Sequence, residues 1–259
     1  GKSTLMNLLL GQKIAIVAPR PQTTRNRILG VKNAPGAQVV LVDTPGIHAP
    51  GTRGSARTHL NRFMNDEALA AVGDVDALCW LVEAPAGGES ARRIVDRGYR
   101  IPPDTEKLLG TLKESGKPIV LALSKVDLLG DKRALLPVIE AWSKAHPFAA
   151  IVPIASALGE GPQSGVSRLL EELVAVLPEG EALFPEEMVT DRAERWLCAE
   201  LVREQVFVLT RQEIPYAVAV TIDDYEERPA TKDHPLNVMI HATVHVEKEA
   251  QKRIVVGEG

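Results

Sequence analysis

Gly1-Lys2-Ser3-Thr4 is the stretch whose reading decides the fold. It matches the last half of the pattern G-x-x-x-x-G-K-[ST], in which backbone N–H groups and a helix N-terminus cradle phosphates, the Lys neutralises them and the hydroxyl residue ligates magnesium. Four such residues also occur by chance in exposed turns, so the reading depends on what the rest of the chain supplies. The run Thr4 to Leu10 reads as a short helix ended by Gly11, which places its N-terminus at the Gly-Lys-Ser turn.

Working outward, Pro21-Gln22-Thr23-Thr24-Arg25 reads as an exposed loop. Arg27 to Lys32 and Gln38 to Val42 read as a hairpin around Asn33-Ala34-Pro35-Gly36. Val39-Val40-Leu41-Val42 is continuously apolar, the pattern of a strand buried on both faces, and it delivers Asp43-Thr44-Pro45-Gly46 at its C-terminal end. Ligands of open α/β sheets bind outside the carboxyl ends of strands, so Asp43 is placed to hold a metal through water; starting a Thr-Pro-Gly turn is its other reading.

The pattern then repeats. An amphipathic segment over 56–72 precedes the strand Ala77 to Val82, a helix from Thr105 to Ser115 precedes the strand Pro118 to Leu123, and that strand ends in Ser124-Lys125-Val126-Asp127. A helix over 132–145, the strand Ala150 to Ile154, the turn Ala155-Ser156-Ala157 and a helix over 165–177 complete the series. Residues 86–104, with Gly87-Gly88 and Pro102-Pro103, read as an irregular insertion. Strands alternating with helices predict an α/β fold with a mostly parallel sheet and helices on both faces. Each polar cluster falls after a strand, on one edge of that sheet.

Composition sets bounds. At 259 residues the chain is long enough for one or two domains, and 45% hydrophobic with 25% charged residues is ordinary for a globular protein. No apolar run approaches the roughly 18 residues that would suggest a membrane span. No signal peptide is read, and mature chains rarely begin inside a functional loop, so the expectation is a truncated N-terminus. Cys79 and Cys198 read as buried reduced thiols. The net charge of −4 divides unevenly: residues 1–180 carry 21 Lys and Arg against 18 Asp and Glu, while 181–259 carry 9 against 16. RNA binding by the C-terminal part must overcome that local acidity. His48, His59 and His146 are not at metal-ligand spacing, His241 and His245 are a weak zinc pattern, and Arg92, Arg93 and Arg97 read as a solvated face.

In combination, Gly-Lys-Ser-Thr, Thr24, Asp43-Thr44-Pro45-Gly46, Ser124-Lys125-Val126-Asp127 and Ser156-Ala157 resemble a P-loop GTPase. Pro21-Gln22-Thr23-Thr24-Arg25 and Asp43 to His48 resemble the Era family in particular. That resemblance implies a GTP site formed by Gly1, Lys2, Ser3, Thr4, Asp43, Thr44, Pro45, Gly46, Ile47, Ser124, Lys125, Val126, Asp127, Ser156 and Ala157. Lys2 would contact the β- and γ-phosphates, and Mg2+ would be held by Ser3 and Thr24 and, through water, by Asp43, with Thr24 engaged only in the GTP state. The Gly46 N–H would donate to the γ-phosphate, Asp127 would accept from guanine N1–H and its amine, Lys125 would pack over the base, and the Ala157 N–H would meet the guanine oxygen. Two departures stand out. Ser124 replaces the usual Asn, implying binding weaker by roughly 1–2 kcal/mol. Ile47 stands where Ras-like enzymes carry a water-orienting Gln, so no catalytic residue is assigned and slow intrinsic hydrolysis is expected.

The alternation stops at the breaker-rich 181–190 segment, read as a linker between a G domain over 1–180 and a partial KH domain over 191–259. A helix capped by Asp191 and running to Glu204, strands over 216–222 and 238–246, and a short helix over 251–256 precede Gly257-Glu258-Gly259. The resemblance makes Gly257 and Gly259 part of an RNA-binding Gly-x-x-Gly turn that the chain leaves one residue short, with Glu258 where the family tends to carry a basic or neutral residue. On this reading the chain assists small ribosomal subunit assembly by binding small-subunit ribosomal RNA and GTP or GDP, with no DNA partner. It would be cytoplasmic, with peripheral association at the inner face of the cell membrane. The fragment itself is expected to bind GTP poorly. Two other readings are carried: a non-catalytic RNA-binding scaffold with a decayed nucleotide site, and a related GTPase acting in RNA modification.

Overall fold

The computed structural model describes residues 1–18, 23–46, 59–159, 161–210, 214–229 and 237–257, with side chains from residue 63 onward in the third of these stretches. Its centre is a parallel sheet of three strands, β3 (Leu78–Glu83), β4 (Ile119–Ser124) and β5 (Ala150–Pro153), in the order β3-β4-β5. All six residues of β4 are buried. Because side chains alternate along a strand, β4 feeds two cores. Leu121 and Leu123 pack with Val138 and Trp142 of α5 (Leu135–Ala145) and Leu109 of α4 (Pro103–Lys113). Val120 and Ala122 pack with Leu169 and Leu173 of α6 (Val166–Val176) and with Leu5 and Leu9 of α1 (Lys2–Leu10). Helices therefore cover both faces, as the alternating pattern predicted.

The hairpin is β1 (Ile28–Ala34) and β2 (Ala37–Asp43), antiparallel with Ile28 opposite Asp43. Among the described residues it is a two-stranded ribbon of its own, not hydrogen-bonded to the parallel sheet. This corrects the expectation that Val39 to Val42 is buried on both faces: of these four only Val39 is buried, because the described strand partners lie on one side of β2 alone. Helix α1 joins the two sheets. Leu5 and Leu9 face the parallel sheet, while Met6 and Leu10, one position further round the helix, pack on Ile14, Ala15 and Ile28 beside the ribbon. Each such side chain contributes on the order of 1.5–3 kcal/mol of burial free energy.

Residues 86–104 are not irregular. They contain α3 (Gly88–Arg97), bounded by Gly87 and Gly98 at positive φ, and its Ala91 and Ile94 are buried against α5 and β4 while Arg92, Arg93 and Arg97 face solvent. Of the glycines that suggest irregularity, Gly87 caps the helix and Gly88, its first residue, admits a close approach, since a Cβ on Gly130 would lie 2.5 Å from the Gly88 Cα. Helix α2 (His59–Gly73) precedes β3. Cys79, on β3, and Cys198 are free thiols that are partly rather than fully buried, and desolvation pushes the Cys79 pKa up to about 12.

The C-terminal elements are α7 (Glu194–Leu209), the antiparallel pair β6 (Val218–Arg228) and β7 (Asn237–Val246), and α8 (Glu249–Val256), an α+β unit of KH-like order. Helix α7 starts at Glu194 with Ala193 as its cap, so Asp191 is not the capping residue; Asp191 lies beyond capping reach in the turn that carries Arg192. The 181–190 segment lies along the ribbon: Val31 N–H donates to the Val189 carbonyl at 2.8 Å, and Gln38 bonds both N–H and carbonyl groups at 183–184.

Gly165 links β5 to α6 at φ +71°, and a Cβ there would sit 2.2 Å from the Pro153 carbonyl oxygen. Gly165→Ala is expected to destabilise the protein by at least about 2 kcal/mol, from left-handed strain plus that collision, read as a lower urea midpoint with unchanged slope.

Candidate functional site

Helix α1 begins at Lys2, which is exposed, and its first turn buries Ser3 at 8% exposure. The Gly1 carbonyl accepts from Leu5 N–H at 3.0 Å, so the Gly-Lys-Ser-Thr turn is the helix N-terminus, where unpaired N–H groups favour an anion. Ser3 Oγ donates to Asp43 Oδ2 at 2.8 Å, Thr24 Oγ1 donates to the same oxygen at 3.0 Å, and the two hydroxyls are 3.0 Å apart. Three residues far apart in sequence, from α1, the loop before β1 and the end of β2, thus share one buried oxygen triangle.

Asp43 is 5% exposed, and its Oδ1 has no hydrogen-bond partner among the described residues. Desolvation raises its carboxyl pKa, opposed by the Ser3 hydrogen bond, the Lys2 charge and the Thr24 hydrogen bond. A buried, half-satisfied carboxylate is costly unless something completes it. Hard oxygen ligands suit magnesium, and the Ser3 and Thr24 hydroxyls lie 3.0 Å apart beside the carboxylate. The hydroxyl protons already point to Asp43, which leaves hydroxyl lone pairs for a cation and Oδ1 for a bound water. The residues present fit a magnesium ion.

The other clusters lie at the carboxyl ends of the parallel strands. Glu83 and Ser124 are paired at the ends of β3 and β4. Ser124 Oγ donates to the Val82 carbonyl at 3.2 Å. Lys125 adopts φ +60°, the only non-glycine positive φ among the described residues, and its Nζ pairs with Glu83 Oε1 at 2.5 Å. Asp127 follows in a single 3-10 turn and is exposed. Val126 N–H donates to the Ile154 carbonyl at 3.3 Å, tying this loop to the end of β5, and the 3-10 turn over Ser156–Leu158 lies against α1 with Ala157 exposed.

Thr44, Pro45 and Gly46 follow β2 directly, with Pro45 buried. Ile47, Pro21, Gln22, His48, Glu258 and Gly259 lie outside the described residues. Gly257 is exposed at the end of α8, at φ +77°. Among the described residues no His, Cys, Asp and Glu group could hold a metal through those side chains, and no helix is long and apolar enough to cross a membrane. Sequence reasoning missed Glu83, although a carboxylate ending a strand on the same edge as Asp43 was the available signal.

The family model described as 50S ribosome-binding GTPase matches residues 1–125. The chain is 43% identical to GTPase Era of Syntrophus aciditrophicus (strain SB) over 258 residues, covering 100% of this chain and 75% of that protein. The chain belongs to the Era family of GTPases. A further Era relative, from Geobacter metallireducens, is 43% identical over 259 residues, covering 100% of this chain and 77% of that one. Among solved structures, Era in complex with MgGDPNP and nucleotides 1506-1542 of 16S ribosomal RNA matches with TM-score 0.81 and 35% identity, over 100% of this chain and 78% of the other. Aquifex aeolicus Era bound to GDP.AlF4- matches with the same TM-score and identity, over 100% and 79%.

Asp43→Asn keeps an acceptor for both hydroxyls and removes the buried charge. The variant is expected to unfold at an equal or higher urea concentration than the parent in metal-free buffer. Its nucleotide affinity should lose the parent's response to magnesium, a drop of roughly tenfold to a hundredfold at millimolar magnesium, the scale of one or two charge-assisted contacts. Urea titration and nucleotide titration with and without magnesium check both halves.

Proposed function

We propose that this chain is a magnesium-dependent GTP-binding and GTP-hydrolysing switch that binds small-subunit ribosomal RNA and assists small ribosomal subunit assembly. The observation that carries the reading is the Ser3–Thr24–Asp43 triangle at the N-terminus of α1, with one Asp43 oxygen left over. A chain that had become a scaffold without nucleotide chemistry would have no reason to keep a desolvated carboxylate so poorly completed.

In this reading Lys2 and the α1 N-terminus take the phosphates, Ser3 and Thr24 hold magnesium, and Asp43 orients a metal-bound water. The ion would neutralise charge between the β- and γ-phosphates. Gly46 N–H donates to the γ-phosphate. Asp127 reads guanine, the Lys125 stem covers the base, and the 156–157 turn meets the guanine oxygen. The water-orienting Gln is replaced by Ile47, so intrinsic turnover to GDP and phosphate is slow. Residues 1–180 form the GTP-binding unit, 181–190 the connection and 191–259 the KH-like unit. The exposed Gly257 would let an RNA backbone approach closely, and the RNA is the counterpart of the 16S segment bound by the relative of known structure. Cytoplasmic location, with peripheral contact at the inner face of the cell membrane, is part of the same proposal and is checked by cell fractionation.

Two titrations test it. In magnesium the full chain is expected to bind GTP and to discriminate against ATP, and Asp127→Asn is expected to lose about a hundredfold in GTP affinity while gaining XTP. Two hydrogen bonds to a charged acceptor account for that size. An unchanged GTP preference in the variant would sink the base assignment. A labelled oligonucleotide from the 3′ end of small-subunit ribosomal RNA is expected to bind more tightly in the presence of GDPNP than of GDP.

A further inference from the structure

The loop that carries Thr24 is suspended from the C-terminal elements by three sets of bonds. Ahead of Thr24, Val17 N–H donates to Glu204 Oε1 at 2.9 Å, and Lys13 pairs with the other oxygen of that carboxylate. Immediately before Thr24, the Thr23 carbonyl accepts from Arg203 Nη2 at 2.7 Å. Immediately after it, the Arg25 guanidinium donates to the carbonyls of Pro215, Tyr216 and Val218 at 3.3, 2.9 and 2.9 Å.

Arg203 is built to hold its position. It is 4% exposed on α7, its Nε and Nη2 form a fork onto Glu200 at 2.7 and 2.6 Å, and its guanidinium lies 5.9 Å from the Phe207 ring. Phe207 is itself fully buried and meets Tyr216 edge-on, so the same helix face contacts the segment that Arg25 holds. Burial first, and the Arg203 charge second, lower the Arg25 pKa against Glu200 and Glu247. The two guanidiniums repel, and they stay adjacent because the Glu200 carboxylate and the Thr23 carbonyl fix Arg203 while three carbonyls fix Arg25.

We infer that Arg203 and Arg25 are positioning residues for Thr24. Arg203 grips the Thr23 carbonyl from α7, and Arg25, next to Thr24 in the chain, anchors its side chain on the carbonyls of Pro215, Tyr216 and Val218; together they hold the Thr24 hydroxyl on the Ser3–Asp43 pair and couple the triphosphate-and-magnesium site to the β6–β7–α8 unit. The inference rests on the proposed role of Thr24 as a magnesium ligand. Coupling of this kind is reciprocal. Whatever fixes Thr24 tightens the grip on α7 and β6, and whatever pulls α7 away withdraws a ligand from the ion. Since Thr24 serves the triphosphate state, the effect discriminates GTP from GDP, and neither arginine needs to touch the nucleotide.

The test uses the full chain, with dissociation constants for GDPNP and GDP in magnesium for the parent, Arg203→Ala, Arg203→Lys, Arg25→Ala, Thr24→Ala and the Thr24→Ala/Arg203→Ala pair. Arg203→Ala and Arg25→Ala are expected to weaken GDPNP about tenfold and to leave GDP within twofold. Arg203→Lys, which keeps one donor for the Thr23 carbonyl, should recover part of the loss. In the Thr24→Ala background, removing Arg203 should cost nothing further. Amide hydrogen exchange over 214–218 should slow when GDPNP and magnesium are added to the parent and not to Thr24→Ala. Arg25, less enclosed than Arg203, keeps the test open if Arg203→Ala melts below the assay temperature. A parent whose GDPNP affinity ignores both magnesium and Thr24→Ala overturns the magnesium-site reading. A parent that responds to both, with equal losses of GDPNP and GDP in the arginine variants or with fully additive Thr24 and Arg203 losses, overturns the positioning role alone.

Discussion

A single buried carboxylate sets the terms for the rest of this structure. Asp43 ends β2 at 5% exposure, its Oδ2 accepting from two hydroxyls and its Oδ1 from none among the described residues. Keeping that charge out of water lowers stability, and the groups that offset the cost come from two other parts of the chain, the start of α1 and the loop before β1. Ser3 reaches it only if α1 packs between the ribbon and the parallel sheet, and Thr24 reaches it only if the loop before β1 is held in place. The apolar stripes of α1 and the arginine grip of α7 are therefore conditions for the same few polar contacts.

The division of labour within α1 shows how the sequence meets the first condition. Leu5 and Leu9 point to the parallel sheet, and Met6 and Leu10 point to the ribbon, so nine residues of helix join two hydrogen-bonded sheets through side chains alone. Ser3 lies one turn ahead of these anchors, and its place at Asp43 follows from theirs. The polar groups are thus presented by the start of α1 and the end of the ribbon, while the Ser124–Asp127 and 156–157 turns come from the carboxyl ends of the parallel strands.

Much of this was legible from residue order. The Val39 to Asp43 run, the buried Ile119 to Ser124 strand and the motifs behind each strand gave the alternation and the edge on which the chemistry collects, because period and punctuation are local signals. Residues 86–104 read as irregular because Gly87-Gly88 and Pro102-Pro103 dominate the local signal, whereas these residues stand at the starts of α3 and α4 and the periodic Ala91 and Ile94 carry the helix. Asp191 reads as a cap because acidic residues favour that place, whereas Ala193 precedes the first helical residue, Glu194. Arg203 and Arg25 lay beyond sequence reasoning altogether. What they hold across the fold are backbone carbonyls 180 and more residues away, and a carbonyl has no residue type to recognise.

The Ser124 departure shows how a local substitution is absorbed by its surroundings. The sequence suggests a lost ligand contact, since a hydroxyl is shorter than the amide usual in the family. In the folded chain that hydroxyl bonds the Val82 carbonyl and joins the ends of β3 and β4, where Glu83 and Ser124 stand opposite one another. The next residue, Lys125, is then turned into a left-handed conformation that a side chain tolerates only when its neighbours impose it. Its ammonium pairs with Glu83 from the adjacent strand end. The serine hydroxyl thus ties together the strand ends from which Lys125 and Asp127 project, a contact between β3 and β4 that residue order alone does not announce.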